Sequence, residues 1–548
     1  MPNSCHSDKD EISAPRLDLV IEHEIPRKLG APPRNCQRSH TEVETNMTQS
    51  TLARRAPEND SPPTIDHQHA PILEGIIAYQ QQDIVPFSTP GHKLGAGADA
   101  ELFATFGERA FRSDIPLGGG VGDTHFSGDA LGQAQALAAR AWGADHSFFL
   151  LNGSSAGNHA FLMAAVRPGD KVIVSRDLHK SLLVALILTG AMPVYLAPRL
   201  HSELNVGLGV TADEVAQTLD EHPDARLVML VSPSYCGVAS DLAGIAAVAH
   251  ARNVPVHVDE AWGPHFHFHP ALPPSAMSSG IDGAVASTHK VLGGLTQAAI
   301  LNVQGALVPP DRVRTTVGMA QTTSPSALIL ASIDAARRQM ALHGHELLDR
   351  AIALADDARR RLRALPGIAV LDAAQLGVAA FDLTKLVIDV DGLGITGYEA
   401  EHALRNRFRV GPEMSDLVGV VCLVTIGDSE ASLDRLVDAF TTLSEEHYKG
   451  EIGRRGSRSS GAAVAPSVLA MTPRDAFFAP SRAIPLEEAV GEISSELVIP
   501  YPPGIPVLAP GETITADKVA YLREGAAHGM YLSGPTDTKL RTIRIVAA

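Results

Sequence analysis

Short runs of apolar residues alternate with longer, alanine-rich amphipathic stretches between residues 135 and 335. The runs are rich in Val, Ile and Phe, as strands buried on both faces of a sheet are, and the stretches between them have helical spacing. The predicted strands are 147–152, 171–175, 192–197, 226–232, 254–259, 283–287 and 298–303, with helices such as 156–166 and 242–253 between them. This alternation predicts an α/β fold with a mostly parallel, seven-stranded sheet.

The alternation of apolar runs and amphipathic stretches does not continue before residue 135 or after residue 335. Residues 1–70 are polar and dotted with proline, which predicts a disordered extension, and Met47 is an alternative start of translation. Two long helices, SALILASIDAARRQMAL and LLDRAIALADDARRRLRAL, are predicted where the large domain ends. The expected domains are an N-terminal arm (71–134), a large domain (135–335), a small α+β domain (336–450), a linker (451–468) and a C-terminal α+β unit (469–548).

Composition and charge narrow the class of protein. The 548 residues are 45% hydrophobic, enough to build a large core, and 62 acidic against 45 basic residues give a formal charge of −17. This charge argues against nucleic acid as a partner. No apolar stretch approaches a membrane span, the first thirty residues lack the core of a signal peptide, and the four cysteines lie far apart. We therefore expect a cytoplasmic protein without membrane or disulfides.

Polar residues follow the predicted strands at the point where each strand ends. Ligands of open parallel sheets bind outside the carboxyl ends of the strands, so these residues are the candidates for chemistry. They are NGSSAGN after 152, RDLHKS after 175, PSYCG after 232, DEAW after 258 and THK after 287.

The first of these segments is a strand–loop–helix junction that contains Ser154, Ser155 and Ala156. Free backbone N–H groups and the helix dipole at such a junction suit a phosphate group. Serine is also the ordinary residue that caps a helix, and the motif alone leaves both interpretations open.

Asp259 and Lys290 are charged residues at the inner ends of buried strands. A buried carboxylate needs a positive partner, either in a structural salt bridge or on a protonated ring nitrogen. A desolvated lysine is a nucleophile for an aldehyde, although by itself Lys290 could be a surface residue. Pyridoxal 5'-phosphate (PLP) needs three anchors, for its phosphate, its pyridine nitrogen and its aldehyde. The junction at 154–156, Asp259 and Lys290 could provide them in that order.

Three neighbouring residues complete this hypothesis. Ser287 and His289 flank Lys290 and could donate to the phosphate, and His179 could stack on the ring or belong to the core. Two other motifs are less persuasive. The glycine cluster 118–122 lacks the lysine and hydroxyl of a P-loop. The segment HFHFH (265–269) has histidines at zinc-ligand spacing but no evident fourth ligand, so we predict packing and no metal site.

The sequence resembles the fold-type-I, PLP-dependent Orn/Lys/Arg decarboxylases, in the form without an N-terminal response-regulator-like domain. The similar segments run in order from about residue 70 to the C-terminus: FSTPGHK (87–93), FFLLNGSSAGN (148–158), DLHKS (177–181), VSPSYCG (231–237), VDEAWG (258–263), STHK (287–290), QTTSPSALILASID (321–334), PRDAFF (473–478) and IPYPPGIPVLAPGE (499–512).

The resemblance implies a role for each matching residue. Lys290 would form the Schiff base with PLP, Asp259 would pair with the pyridine nitrogen, and His179 would stack on the ring. The phosphate would be held by Ser154, Ser155, Ser287 and His289. Ala156 would also bind the cofactor, Ala261 would support the other face of the ring, and Trp262 would contact the edge of the cofactor. Thr322 or Thr323 would reach the phosphate of a neighbouring subunit, which implies a homodimer or larger oligomer.

The implied reaction is decarboxylation of lysine, arginine or ornithine to the corresponding amine and CO₂. The chain departs from the family in 116–135, where relatives are more acidic, and at Glu492, where a basic residue is usual. The substrate is therefore open, with Glu488, Glu492, Glu496 and Asp129 as candidate partners of its distal cation. An aminotransferase or another PLP-dependent lyase is the alternative, since LRNRFR (404–409) could supply an arginine for the α-carboxylate.

Overall fold

The computed structural model describes residues 66–116, 129–197, 199–201, 206–450, 467–500 and 504–547. Most of the predicted N-terminal extension, the glycine cluster 118–122 and most of the predicted linker lie outside these residues. All of the described residues belong to one unit.

Seven strands form the central sheet, at positions within two residues of those predicted. They are β1 (His146–Leu150), β2 (Lys171–Ser175), β3 (Met192–Leu196), β4 (Ala225–Val231), β5 (Val256–Asp259), β6 (Gly283–Ala286) and β7 (Ala299–Val303). Their order is β1-β7-β6-β5-β4-β2-β3, and β7 runs antiparallel to the other six strands of this sheet. The predicted α/β fold with a mostly parallel sheet of seven strands is confirmed.

Helices cover both faces of this sheet. Successive residues of β1 point to opposite sides, so Phe148 and Leu150 belong to one apolar cluster and Phe149 to another. This two-sided burial explains why the strands have continuous apolar runs. The helices up to the end of the sheet region are α1 (Pro71–Gln81), α2 (Ala100–Phe106), α3 (Glu108–Ser113), α4 (Ala130–Trp142), α5 (Gly153–Ala165), α6 (Lys180–Thr189), α7 (Ala212–Glu221), α8 (Leu242–His250), α9 (Thr288–Val291) and α10 (Pro310–Ala320).

One continuous helix, α11 (Ala327–Arg363), replaces the two long helices that we predicted. Gly344 lies at the point where the prediction breaks. It is buried, and a Cβ atom there would lie 3.0 Å from Met340 and 3.0 Å from Phe268. The glycine lets other side chains approach the helix, and their packing outweighs its low helix propensity.

A second, antiparallel sheet follows α11. Its strands are β8 (Ala369–Leu371), β9 (Lys385–Asp389), β10 (Met414–Ser415) and β11 (Gly419–Leu423), in the order β10-β11-β9-β8, with helices α12 (Ala373–Leu376), α13 (Gly397–Ala403) and α14 (Glu430–His447). The C-terminal residues form α15 (Pro473–Phe478), β12 (Ser481–Pro485), β13 (Ile499–Pro500), α16 (Ala516–Ala527), β14 (Leu532–Ser533) and β15 (Thr542–Val546). Strand β12 pairs with β15, and β13 with β14.

A buried ion pair joins the C-terminal residues to the end of β2. Arg176 Nε and Nη2 donate to the two carboxylate oxygens of Glu512 at 2.8 and 3.0 Å, and Lys518 Nζ donates to the same carboxylate at 3.1 Å. The backbone N–H of Lys180 donates to the carbonyl of Gly504 at 3.1 Å. These bonds fix both ends of the loop between β2 and α6, which carries His179.

None of the helices in the described parts of the chain is both long enough and apolar enough to cross a membrane.

Candidate active site

Lys290 and Asp259 lie at the same edge of the central sheet. Asp259 is the last residue of β5, and Lys290 lies in α9 immediately after β6. Strands β5 and β6 are parallel neighbours, with Asp259 opposite Val285, so the segments that follow the two strands leave the sheet at the same end. The sheet topology therefore brings these two charged residues together, as the sequence predicts.

Neutral donors hold the Asp259 carboxylate in place. The side-chain amide of Asn158 donates to Oδ2 at 2.8 Å, and the N–H of Ala261 donates to Oδ1 at 3.1 Å. Asn158 also donates to Ser181 Oγ at 2.9 Å and accepts from His257 Nε2, at 2.9 Å. Asp259 is only 3% exposed, and these neutral groups orient its carboxylate without contributing a charge of their own.

The Lys290 amine lies over the ring of Trp262, with Nζ 3.8 Å from the ring centroid. Burial lowers the pKa of Lys290 to about 8, although the charges of Asp259 and Glu413 act in the opposite direction. A lysine with such a pKa has an appreciable uncharged fraction near neutral pH, which makes it a nucleophile.

The start of α5 and the segment before α9 offer polar groups for an anion. Within the described residues, α5 begins at Gly153 without a side-chain cap, and no atom lies within 4 Å of a Cβ placed on Gly153. Ser154 and Ser155 are partly exposed there, and Ala156 is buried. Ser287 is fully buried, and its Oγ has no hydrogen-bond partner among the described residues. These groups suit a phosphate, which would accept from the free N–H groups and from the hydroxyl.

His289 has a more restricted capacity to bind an anion. Its Nδ1 donates to the carbonyl of Ala298 at 2.8 Å, and burial lowers the pKa of the ring. In the neutral ring, Nε2 is therefore an acceptor, and His289 would donate to a phosphate only when protonated.

His179 is held as a neutral ring at the start of α6. Its Nδ1 accepts from the N–H of Ser181 at 3.2 Å and lies 2.8 Å from the Ser181 hydroxyl. Burial lowers the pKa of His179 to about 4, against the opposing charge of Asp259. A flat, uncharged ring beside Asp259 and Lys290 has the character needed for stacking on a planar ligand.

The structure adds two charged residues that sequence reasoning missed. Lys385, the first residue of β9, is fully buried, and its Nζ lies 3.9 Å from the Trp262 ring centroid. Glu413 lies before β10, near enough for its charge to act on both Lys290 and Lys385. Both belong to the second sheet, and no local motif in the sequence relates them to the strand ends of the first.

The three histidines of HFHFH point to different partners. His265 contacts Asp382 at 3.2 Å, His267 contacts Ser275 at 3.3 Å, and His269 contacts Asp349 at 2.9 Å. They do not share a site. His269 and Asp349 do cluster with His345, but His269 Nδ1 accepts from the N–H of Ala271, so its Nε2 carries the proton that bonds Asp349.

Other sequence candidates for the site have separate contacts. Four carboxylates were predicted as partners of the distal cation of the substrate. Glu496 accepts hydrogen bonds from Thr536 and Arg544, and Glu492 pairs with Arg482 at 3.6 Å. Asp129 caps α4, and Glu488 is the last residue of a short 3-10 helix. Thr322 and Thr323 are exposed.

Two family profiles match the chain. The Orn/Lys/Arg decarboxylase major domain matches residues 70–384, and the C-terminal domain of the same family matches residues 461–531. The chain belongs to the Orn/Lys/Arg decarboxylase family. The resemblance inferred from the motifs is thereby confirmed, and the protein is a decarboxylase.

Individual relatives agree with this assignment. The arginine decarboxylase of Halalkalibacterium halodurans is 42% identical over 484 residues, covering 87% of this chain and 98% of that protein. The arginine decarboxylase of Bacillus subtilis is 41% identical over 485 residues, with coverage of 87% and 98%. Among solved structures, the lysine decarboxylase of Francisella novicida has a TM-score of 0.74 at 22% identity, covering 87% of this chain and 81% of that one. The Escherichia coli constitutive lysine decarboxylase has a TM-score of 0.73 at 21% identity, with coverage of 88% and 82%, so both share the fold.

Proposed function

We propose that this protein is a PLP-dependent decarboxylase that converts L-arginine to agmatine and CO₂. The observation that carries the proposal is the placement of Asp259 and Lys290 on adjacent strand ends, with the Lys290 amine over Trp262. L-Arginine is chosen among the basic amino acids because relatives with 37–42% identity are named arginine decarboxylase.

The residues present fit PLP. The free Ser287 hydroxyl, the start of α5 and the serines at 154 and 155 would hold its phosphate, and Ala261, Trp262 and His179 would flank its ring. PLP supplies an electron sink for the bond that breaks at the α-carbon of the substrate.

The chain's own residues would divide the work as follows. Lys290 would hold the cofactor covalently through Nζ, and after CO₂ leaves, the same nitrogen would deliver a proton to the α-carbon. Asp259 would keep a proton on the pyridine nitrogen, because its carboxylate is oriented by Asn158 and Ala261. His179, neutral at pH 7, would cover one ring face and exclude water from it.

The arrangement of the arginines in 404–409 supports decarboxylation over transamination. Arg405 Nε donates to Glu401 at 2.7 Å, and Arg407 forms two hydrogen bonds with Glu446 at 2.8 and 2.6 Å. Arg405 and Arg407 are therefore already engaged by carboxylates of the chain, and Arg409, the third arginine of the segment, is exposed. A substrate carboxylate without an arginine partner loses CO₂ more readily, because its charge is not stabilised in the ground state.

Incubation of the PLP-loaded protein with L-arginine, L-lysine and L-ornithine tests the proposal. We expect equimolar CO₂ and agmatine from L-arginine, lower rates with the other two, and no product from Lys290→Ala. The matched control is Lys171→Ala, since Lys171 pairs with Asp224 at the surface. Formation of a keto acid without CO₂ would instead make the protein an aminotransferase.

We also propose a homodimer, in which Thr322 or Thr323 reaches the phosphate of the partner's cofactor. Their exposure on the single chain is consistent with this role. Light scattering of the purified protein should give twice the chain mass or a multiple of it. A monomer with full decarboxylase activity would contradict the shared site.

A further inference from the structure

Lys385 is a buried lysine whose amine has no hydrogen-bonding partner among the described residues. It is 0% exposed, and its Nζ makes no hydrogen bond with any described residue. A buried ammonium group in this state destabilises a fold by several kcal/mol unless its proton is lost. Such a residue at the edge of an active site indicates a function that offsets the loss of stability.

The backbone around Lys385 fixes the direction of its side chain. Its N–H donates to the carbonyl of Asp382 at 3.1 Å, and its own carbonyl accepts from Arg359 at 3.0 Å. Gly237, with φ of +90°, makes room for the aliphatic part, since a Cβ atom at 237 would lie 2.9 Å from Lys385 Cγ. The absence of a side chain at Gly237 therefore leaves room for the stem of Lys385, whose amine lies over Trp262.

The amines of Lys385 and Lys290 share one aromatic ring. Their Nζ atoms lie 3.9 and 3.8 Å from the Trp262 ring centroid, so they are separated by at most about 7.7 Å. At this distance, and with the effective dielectric constant of about 20 that suits protein sites, two positive charges repel each other appreciably. The repulsion lowers the pH at which either amine is half protonated by about one unit or more.

We propose that Lys385 is a positioning residue whose positive charge raises the uncharged, and therefore nucleophilic, fraction of the Lys290 amine near neutral pH. The inference rests on the proposed attachment of PLP to Lys290. It assigns to Lys385 the electrostatic activation of the neighbouring lysine, without contact with the reacting atoms.

The other charged groups around the pair act in both directions. The titratable groups that face Lys290 are Asp259 at the end of β5, Glu413 before β10, and the rings of His179 and His289. The titratable groups that face Lys385 are Asp382, Glu413 and Cys236. The carboxylates of Asp259 and Glu413 favour the charged form of Lys290. Burial opposes these carboxylates, and a second cation adds to its effect. Lys385 is the buried lysine that shares the Trp262 ring, and the charge of Lys290 in turn lowers the pKa of Lys385.

The test is the pH dependence of PLP attachment to the apoprotein, followed by the absorbance of the covalent adduct from about pH 6 to about pH 10. In Lys385→Met the midpoint should move up by about one pH unit, and attachment at pH 7 should slow about tenfold. Lys385→Arg, which keeps the charge, should retain the wild-type midpoint. Lys171→Met is the control, because it removes a lysine that pairs with Asp224 at the surface, and it should leave the midpoint unchanged.

Each other outcome has a distinct meaning. An unchanged or lowered midpoint in Lys385→Met overturns the proposal. An unchanged midpoint with a raised KM for the amino acid would make Lys385 a ligand of the substrate carboxylate, which also overturns it. Should Lys385→Met fail to fold by circular dichroism, Lys385→Gln removes the same charge and is judged by the same criteria. If the wild-type protein forms no adduct at any pH, the proposed function itself fails.

Discussion

Replacing Asp259 by Asn removes one buried negative charge and preserves the shape of the side chain. The carboxylate now accepts from Asn158 at 2.8 Å and from the N–H of Ala261 at 3.1 Å. An amide has one accepting oxygen, so its NH₂ group must face one of these two donors. The buried donor that loses its partner should lower the free energy of unfolding by about 1–3 kcal/mol, measured by urea denaturation.

The effect on catalysis should be larger than the effect on folding. Loss of this oriented charge is expected to reduce kcat by roughly 10²-fold or more, measured as CO₂ release from L-arginine. Asp259 raises the pKa of Lys290, against the dominant effect of burial, so the variant should not have a more highly charged Lys290. PLP attachment should therefore persist while turnover falls.

The control for this variant is Asp349→Asn, which changes an exposed carboxylate that is hydrogen-bonded to His269 and should retain normal turnover. A folded Asp259→Asn protein with kcat within about threefold of wild type would refute the role of Asp259.

Three further predictions concern stability. Lys385→Met should increase the free energy of unfolding at pH 7 by on the order of 2 kcal/mol. Because burial lowers the pKa of Lys385 to about 8, this gain should be full below pH 8 and should decrease as the pH rises toward about 10.4, the pKa of lysine in peptides. Urea titrations at several pH values measure it. Gly283→Ala should cost about 2–3 kcal/mol because the added Cβ would collide with the ring of Phe161, whereas Gly318→Ala, in open space on α10, should leave Tm unchanged or higher. Glu512→Gln should lower the free energy of unfolding by about 3 kcal/mol, because it breaks a buried ion pair. It should also weaken PLP binding, measured by fluorescence titration, because that ion pair holds the loop before α6.

The central sheet could be predicted because burial on both faces gives each strand an uninterrupted apolar run. The site at its edge followed from the same pattern, since the first polar residue after β5 or β6 must lie where parallel strands end. Asp259 and Lys290 were predicted in this way, from local sequence alone.

Residues from the second sheet could not be found by that argument. Lys385 and Glu413 reach Lys290 through tertiary packing, and nothing in the stretches around them fixes which part of the first sheet they approach. Gly344 was misleading for a related reason, because its low helix propensity is overridden by Met340 and Phe268 packing against it. The predicted domain boundaries and the individual cofactor contacts stay predictions.

Reduction of the PLP-loaded protein with borohydride, followed by peptide mass spectrometry, tests the central claim most directly. We predict a phosphopyridoxyl group on Lys290 and on no other lysine. Its presence on Lys385, or an unmodified Lys290 in a protein that decarboxylates L-arginine, would contradict the account.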